Sequence, residues 1–424
     1  MLGTWALRRV QHGPRTIRAV RQAPRDPRFA PSNAIHHLAV KRIVVAQDVR
    51  LNSCTRTRGL ATAAIPSVLV PPLIFVGLLL SLWTWKCFWI VVMQDKLLYL
   101  TWLPPFTRSE KIADYEFSCR PVRWEEKQIR SLDGTKLAIC EGQIANMSDG
   151  KGLQQTSKFV RKRRVVICYF QGNGGSMPMR LPLLSQVLRT ITEKSKSTTK
   201  AHQNETKYTI AALSYRGYWK SSGRATQSGI EKDAQAFLNW VSETYKAPET
   251  DLEIVLWGHS LGAAVASAAT AAYLARQHSG QTSAHKSSGS LAPLVGLILE
   301  APTSSIKDML ISLYPQKWLP YRYLWPLSWN TWDITKSMSQ MARWRDESGI
   351  EAADPPSRLP PIFLLSAEKD EIIPSCVPGH LERCARSFNL DLEAKEVVGA
   401  MHTEAPLKLD GRKALVDFIL NTSR

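Results

Sequence analysis

The hexapeptide Trp257-Gly258-His259-Ser260-Leu261-Gly262 follows an apolar, strand-like run, Glu253–Trp257, and opens a run of small residues typical of a closely packed helix. Glycines stand two positions before and two after the serine, which is the G-x-S-x-G pattern of a sharp strand-to-helix turn. Glycine at those positions relieves crowding around a serine in a strained backbone conformation. A helix N-terminus beneath the serine favours the negative charge that develops during acyl transfer. The pattern in this setting predicts that Ser260 is a nucleophile.

The segments on either side of this turn alternate between strand-like and helix-like patterns. The predicted strands are Lys136–Cys140, Val165–Phe170, Tyr208–Ser214, Glu253–Trp257, Leu294–Leu299, Ile362–Ser366 and Leu392–Val398. Several are nearly continuous apolar runs, as expected for a parallel sheet that is buried on both faces. The region 230–245 has one apolar face, and Ser228 and Glu231 predict a capping box at its start. This alternation predicts a doubly wound α/β domain with a mostly parallel sheet.

The composition excludes several classes of protein. With 424 residues, 44% hydrophobic and 21% charged, the chain can bury a large core and is not a disordered protein. The seven cysteines are scattered without a C-x-x-C pair, which indicates neither a zinc site nor a disulfide framework. The basic run Arg161–Arg164 has no aromatic residues interleaved with it, so we expect a solvated strand edge and no nucleic-acid partner.

Much of the net charge of +19 lies at the N-terminus, where residues 1–60 contain twelve Arg or Lys and two acidic residues. An Arg-rich leader with short amphipathic pieces is typical of a mitochondrial transit peptide. A disordered basic tail on the cytosolic side of another membrane is the alternative. We therefore expect 1–60 to be a targeting segment and the location to be the mitochondrial inner membrane, with the endoplasmic reticulum as the alternative.

Residues 60–85 carry no charge, and Lys86 is the first charged residue after them. About 20 apolar residues suffice to span a bilayer core. Because Pro71 and Pro72 lie near the start, we expect the helix proper to run from about Pro72 to about Met93. Its end carries four aromatic residues suited to a membrane interface, Trp83, Trp85, Phe88 and Trp89. The sequence predicts one transmembrane anchor over 61–94.

The strand, sharp turn and helix around Ser260 resemble those of the α/β-hydrolase superfamily, and in particular of membrane-anchored hydrolases of the bud-emergence (Bem) type. The resemblance covers about Asp95–Arg424. It implies an α/β-hydrolase fold with a helical cap, preceded by one transmembrane helix. We expect a connector at 95–125 and a hydrolase domain at 126–424, with the cap at about 303–345.

The glycine-rich loop Tyr169–Ser176 ends a strand upstream of the nucleophile. It lacks the Lys-Ser/Thr pair of a P-loop, which argues against a phosphate cradle. In the hydrolase family such a loop supplies one oxyanion-hole amide, which by resemblance is that of Asn173. The second amide would be that of Leu261, directly after the nucleophile. Gln171 stands where relatives commonly have histidine.

The other members of a catalytic triad follow the nucleophile along the chain, in the family order Ser, Asp, His. Glu368, Asp370 and Glu371 lie just beyond a predicted strand, and the family pattern D-x-x-x-P selects Asp370 as the acid. Beyond it only His380 and His402 remain. His402 lies in the loop after the last predicted strand, where the fold carries its base, so the resemblance implies a triad of Ser260, Asp370 and His402.

Such a triad would form and hydrolyse an acyl-enzyme without a metal or an organic cofactor. The segment Tyr314–Trp332 contains seven aromatic residues, which fits an acyl pocket, a surface that enters the membrane, or the core of the cap itself. With the anchor, this favours a membrane lipid or another acyl ester or thioester as the substrate. The alternatives are a catalytically weak scaffold, or an acyltransferase or peptidase on the same fold.

Overall fold

The computed structural model describes residues 66–144, 162–198, 206–282, 291–348 and 359–423. The predicted targeting segment at 1–60 and the first residues of the predicted anchor lie outside the described residues.

The strands of the described part form one eight-stranded sheet. In chain order they are β1 (Val122–Arg130), β2 (Lys136–Ile144), β3 (Lys162–Phe170), β4 (Thr206–Ser214), β5 (Thr250–His259), β6 (Leu294–Glu300), β7 (Ile362–Ala367) and β8 (Leu392–Val397). The order across the sheet is β1-β2-β4-β3-β5-β6-β7-β8. The β1–β2 and β2–β4 pairs are antiparallel and all later pairs are parallel. This topology confirms the α/β-hydrolase fold.

Strand β1 was not among the strands predicted from the sequence. It is an edge strand in which buried and solvent-exposed residues are mixed, so it contains no apolar run. It pairs with β2 along its full length, from Val122 opposite Ile144 to Arg130 opposite Lys136. The sheet therefore begins at Val122, and the expected start of the domain at residue 126 falls inside a strand.

Helices cover both faces of the sheet. The α-helices of the described part are α1 (Val70–Val92), α2 (Gln94–Tyr99), α3 (Glu116–Cys119), α4 (Leu181–Thr198), α5 (Gln227–Tyr245), α6 (Leu261–Thr282), α7 (Ile306–Leu313), α8 (Ile334–Ser348), α9 (Cys376–Ser387) and α10 (Leu409–Thr422). Side chains of α5, α6, α8 and α9 pack into the apolar core on one face. Those of α4 and α10 pack into the core on the other face.

Helix α5 has its predicted apolar face but not its predicted cap. The N-cap is Thr226, whose hydroxyl accepts a hydrogen bond from the Gly229 amide. The capping box predicted from Ser228 and Glu231 is therefore wrong, because the helix begins one residue before Ser228. Glu231 instead accepts a hydrogen bond from the side chain of Gln227, one turn earlier.

Helix α1 is the apolar helix expected near the N-terminus, and it runs two residues further toward the N-terminus than predicted. Prolines in its first turn are compatible with a helix start, where no backbone donor is needed. None of its residues is buried in the protein. By length and composition the stretch Ser67–Val92 is sufficient to cross a membrane.

The segment between β6 and β7 contains α7, two short 3₁₀ turns (Pro320–Tyr323 and Trp325–Leu327) and α8. Met338 and Met341 of α8 are buried in the main core, in which α6 also packs. The predicted cap at 303–345 therefore includes a helix that belongs to the layer covering the sheet, and the part outside that layer ends before Ile334.

Candidate active site

Ser260 occupies the turn between β5 and α6 in the backbone conformation that the sequence pattern predicts. Its φ is 53°, in the left-handed region that a residue with a side chain rarely adopts. The Ser260 amide donates to the carbonyl oxygen of Glu300 at 2.8 Å, which fixes the turn to the end of β6. A Cβ atom at Gly258 would collide with the backbone of Gly262, and one at Gly262 with the carbonyl of Phe170. The turn is thus as tight as glycine allows.

Asp370 and His402, predicted from separate loops, lie together. The Nδ1 of His402 is 2.8 Å from Oδ2 and 3.0 Å from Oδ1 of Asp370. The Ile372 and Ile373 amides also donate to this carboxylate, at 2.9 and 2.7 Å. Burial opposes ionisation, but the hydrogen bonds from His402 and from these amides outweigh it and hold the pKa of Asp370 below its usual value.

The two glutamates beside Asp370 serve the backbone instead. Glu368 accepts a hydrogen bond from the Gly399 amide at 2.7 Å, and Glu371 accepts one from the His402 amide at 3.1 Å. Both contacts hold the loop that carries the histidine. His380 lies on α9, where its Nε2 is 3.7 Å from the Sγ of Cys384.

Ser260 and His402 are both buried, but they are linked indirectly. Within the described residues no hydrogen bond joins the Ser260 hydroxyl to His402. His259, which directly precedes Ser260, contacts His402. Its ring centroid lies 5.1 Å from that of His402, and its Nε2 donates to the His402 carbonyl oxygen at 3.4 Å. Hydrogen bonds between nucleophile and base are often long or poorly aligned without substrate and tighten when it binds.

Behind this turn lies a buried polar cluster that was not predicted from the sequence. His259 accepts a hydrogen bond at Nδ1 from the Arg180 guanidinium at 3.0 Å, which fixes the neutral tautomer with its proton on Nε2. Its Nε2 also lies 3.9 Å from Oε1 of Glu300, whose Oε2 accepts from Trp257 at 2.8 Å. Burial, aided by the charges of Arg180 and His402, lowers the pKa of His259 well below its usual value.

Glu300 is the second ionisable group of that cluster. Burial raises its pKa to about 7, although Arg180 and the hydrogen bond from Trp257 act in the opposite direction. Its Oε1 has no hydrogen-bond partner in the described part of the chain. No local pattern indicates this cluster, because its members come from β5, β6 and the turn before α4.

The glycine-rich loop lies against the nucleophile. A Cβ built at Gly172 would be 3.3 Å from the Cβ of Ser260. The amides of Gly174 and Gly175 donate to the carbonyl oxygens of Tyr99 and Leu103, at 3.0 and 2.7 Å.

Asn173, one of the two predicted oxyanion donors, follows Gly172 in this loop, and Leu261, the other, is the first residue of α6 directly after Ser260.

The loop after β4 is held by ion pairs of Arg216. The Arg216 guanidinium donates to the fully buried carboxylate of Asp233 at 2.7 Å and to Asp133 at 2.8 Å. Arg216 and Thr135 together lower the pKa of Asp133. These contacts tie the loop to α5 and to the β1–β2 turn.

Comparison with known proteins gives matches to lipases and to α/β-hydrolase proteins. A family model described as lipase (class 3) matches residues 182–296, which contain Ser260. Bem46 of Schizosaccharomyces pombe is 27% identical over 66% of this chain and 71% of its own length. The α/β-hydrolase domain-containing protein WAV2 of Arabidopsis thaliana is 30% identical over 54% of this chain and 58% of its own length. The lysophosphatidylserine lipase ABHD12 of Xenopus tropicalis is 29% identical over 39% of this chain and 36% of its own length.

The aligned stretch covers most of Bem46, little more than half of WAV2 and about a third of ABHD12. The sheet topology, the backbone at Ser260 and these sequence matches agree with one another. The chain has the α/β-hydrolase fold and is similar to Bem46-like hydrolases of the lipase and esterase type.

Proposed function

We propose that this chain is a membrane-anchored serine hydrolase that cleaves an acyl ester or thioester of a lipid, with Ser260, His402 and Asp370 as its catalytic triad. The observation that carries the proposal is the hydrogen bond between His402 and Asp370, on the loop next to the strained turn of Ser260. A carboxylate paired with a histidine beside a serine on such a turn is the arrangement that acyl transfer requires.

In the proposed reaction the Ser260 hydroxyl attacks the acyl carbonyl while His402 Nε2 takes its proton. Asp370 holds the Nδ1–H of the ring and stabilises the imidazolium that forms. The amides of Asn173 and Leu261 donate to the oxyanion, and His402 protonates the leaving alcohol or thiol. Water, deprotonated by the same histidine, then attacks the acyl-enzyme and releases the acid and Ser260.

The anchor and the relatives support a lipid substrate. Helix α1 is long and apolar enough to hold the domain at a bilayer. ABHD12, which matches over part of this chain, is by its name a lipase for lysophosphatidylserine, a lipid ester. A water-soluble ester remains as the second candidate substrate, since Bem46 and WAV2 carry no substrate in their names.

The decisive experiment is labelling of the full-length protein in membranes with a fluorophosphonate probe, which reacts with activated serines. We expect labelling of the wild type and none of a Ser260→Ala variant. The matched control is Ser267→Ala, because Ser267 is a buried serine of α6 that donates to the Ala263 carbonyl oxygen, and this variant should still be labelled. Labelling that survives Ser260→Ala would overturn the triad. Folded protein without labelling would favour the scaffold.

Acyl transfer and location have separate tests. Product analysis with a competing alcohol distinguishes hydrolysis from transfer to another acceptor.

For location we propose the mitochondrial inner membrane, on the basis of the basic leader. A fluorescent protein fused to 1–60 should be imported and shortened. Glycans on Asn146 or Asn204, which lie in N-x-S/T sequons, would place the protein in the endoplasmic reticulum instead.

A further inference from the structure

The segment from the last residue of α7 to α8 exposes large apolar side chains to solvent. Six of them, each exposed by 40% or more, form what we call the apolar cap face: Leu313, Trp318, Tyr323, Trp325, Leu327 and Trp329. An exposed apolar patch of this kind marks a surface that contacts a membrane, a ligand or another protein.

This face lies against the anchor helix. The rings of Trp83 in α1 and Trp318 in the cap are tilted against each other with centroids 5.9 Å apart. One turn further along α1, the ammonium of Lys86 lies 4.4 Å from the ring centroid of Tyr321. The cap face is thus continuous with the last turns of the helix.

Hydrogen bonds fix the other end of the face to the residues after α1. The indole of Trp329 donates to Asp95 at 3.0 Å, and its amide donates to the Gln94 side chain at the same distance. The Asn330 side chain also donates to Asp95, at 2.6 Å. These bonds therefore fix the position of the apolar cap face relative to the end of α1.

The anchor sets the depth of that face. A helix that spans the hydrocarbon needs about 20 apolar residues, and Lys86 is the first charged residue after the uncharged run. Lys86 accordingly lies at or inside the edge of the hydrocarbon, with its ammonium reaching toward the headgroups. Trp83 lies three residues earlier, about 4.5 Å deeper at 1.5 Å per residue. Trp318, which contacts Trp83, lies at the same depth.

The charges near the face suit an anionic bilayer surface. Lys317 and Arg322 are the charged residues within 309–332, and the acidic residues Asp308 and Asp333 border this segment. Lys307 stands over the ring of Trp325, 4.5 Å from its centroid. Tryptophan and tyrosine with flanking basic residues are the composition of membrane interfaces.

We propose that the apolar cap face inserts into the headgroup–hydrocarbon boundary of the bilayer that α1 spans, with Trp318 deepest and Trp329 nearest the water. This inference rests on the proposed function, in that α1 is the anchor. The face then holds the carboxyl edge of the sheet, where Ser260 lies, at the surface from which a lipid ester is drawn.

The test uses the full-length chain reconstituted in vesicles of phosphatidylcholine and phosphatidylserine. An environment-sensitive fluorophore is attached to Trp318→Cys, Leu327→Cys or Ala247→Cys, with Cys54, Cys87, Cys376 and Cys384 replaced by alanine. Ala247 is the control because it is exposed in the loop before β5, at the opposite edge of the sheet from the cap. Lipids brominated along the acyl chain quench fluorophores according to depth.

We expect quenching to be strongest at position 318, weaker at 327 and absent at 247. Equal quenching at 318 and 247 would overturn the proposal. Shielding of position 318 from both lipid and water, with energy transfer between labelled copies, would also overturn it and assign the face to a second copy of the chain.

An activity measurement separates this inference from the proposed function. Trp318→Asp should lower hydrolysis of an acyl ester embedded in the vesicles roughly fivefold or more, because a carboxylate is disfavoured at that depth. The same variant should keep its fluorophosphonate labelling and its activity on a short soluble ester. Loss of labelling in wild type as well would indicate failure of the triad, whereas equal activity of Trp318→Asp and Ala247→Asp on embedded ester would contradict only the membrane contact.

Discussion

The Nε2 of His259 lies 3.9 Å from the Oε1 of Glu300, and both side chains are buried beside the turn of Ser260. Burial lowers the pKa of the histidine and raises that of the glutamate to about 7. The pair is therefore uncharged in weakly acidic solution, and its two members affect stability with opposite dependence on pH.

We predict that substituting either residue alone reveals how the other makes stability depend on pH. As the pH falls through 6.5, the unfolded chain binds a proton at His259 that the folded protein does not bind, so stability is lost toward acid. Between about pH 4.5 and 7, the folded protein retains a proton on Glu300 that the unfolded chain has released, so stability is lost as the pH rises. Because Asp370 has a lowered pKa, its own effect is confined to still lower pH.

Glu300→Gln leaves the histidine effect, and its melting temperature should fall between pH 7 and pH 5. His259→Gln leaves the glutamate effect, so its melting temperature should fall from pH 5 to pH 7. In His259→Gln, the free energy of unfolding should fall by up to about 3 kcal/mol over this range, at 1.4 kcal/mol per pKa unit. Thermal unfolding in detergent micelles checks both, with the exposed Glu249→Gln as the control. Slopes of the same sign in the two variants would contradict the assignment.

We predict that Asp370→Asn lowers kcat on a short-chain ester by a factor on the order of 10⁴, because an amide in place of the carboxylate favours the wrong tautomer of His402. The matched variant is Glu368→Gln, two residues away. Glu368 accepts a hydrogen bond from the Gly399 amide, so this variant should lose about 1 kcal/mol of stability and keep kcat within a fewfold range. Equal losses of kcat in the two variants would reassign the acid.

The sequence was informative about this site wherever a residue directly follows a strand. Ser260, Asp370 and His402 all lie just beyond strand ends, and the carboxyl ends of parallel strands meet at one edge of a sheet. The order of such residues along the chain therefore predicts that they converge. The apolar runs of β3 to β7 indicated the central sheet for the same reason, since both faces of these strands are buried.

The features that the sequence did not indicate depend on contacts between distant segments. Strand β1 lacks an apolar run because one of its edges and part of its surface face water. Glu300 lies opposite His259 in the pairing of β5 with β6, and the side chain of Arg180 reaches His259 from the turn before α4. Helix α8 likewise belongs to the main core and not to the cap because its side chains pack with the rest of that core.

The close packing at the turn of Ser260 gives the last prediction. An alanine Cβ at Gly258 would collide with the carbonyl of Gly262 and with the Cα of Ala263, which are backbone atoms. These atoms can move only if α6 shifts away from β5, and that shift displaces Ser260. We therefore expect Gly258→Ala to lower the free energy of unfolding by about 3 kcal/mol or more and to abolish fluorophosphonate labelling.

The control for this variant is Gly379→Ala on α9, where the nearest atom to the new methyl is the flexible end of the Arg383 side chain, at 3.5 Å. In a helix interior alanine is favoured over glycine by about 0.5–1 kcal/mol, so Gly379→Ala should melt at or above the wild-type temperature and remain labelled. The two substitutions add the same methyl group and differ only in what surrounds it. Gly258→Ala that melted at the wild-type temperature and kept its labelling would contradict this prediction. The turn would then have space for a methyl group at position 258, and the strain assigned to Ser260 would lose its structural basis.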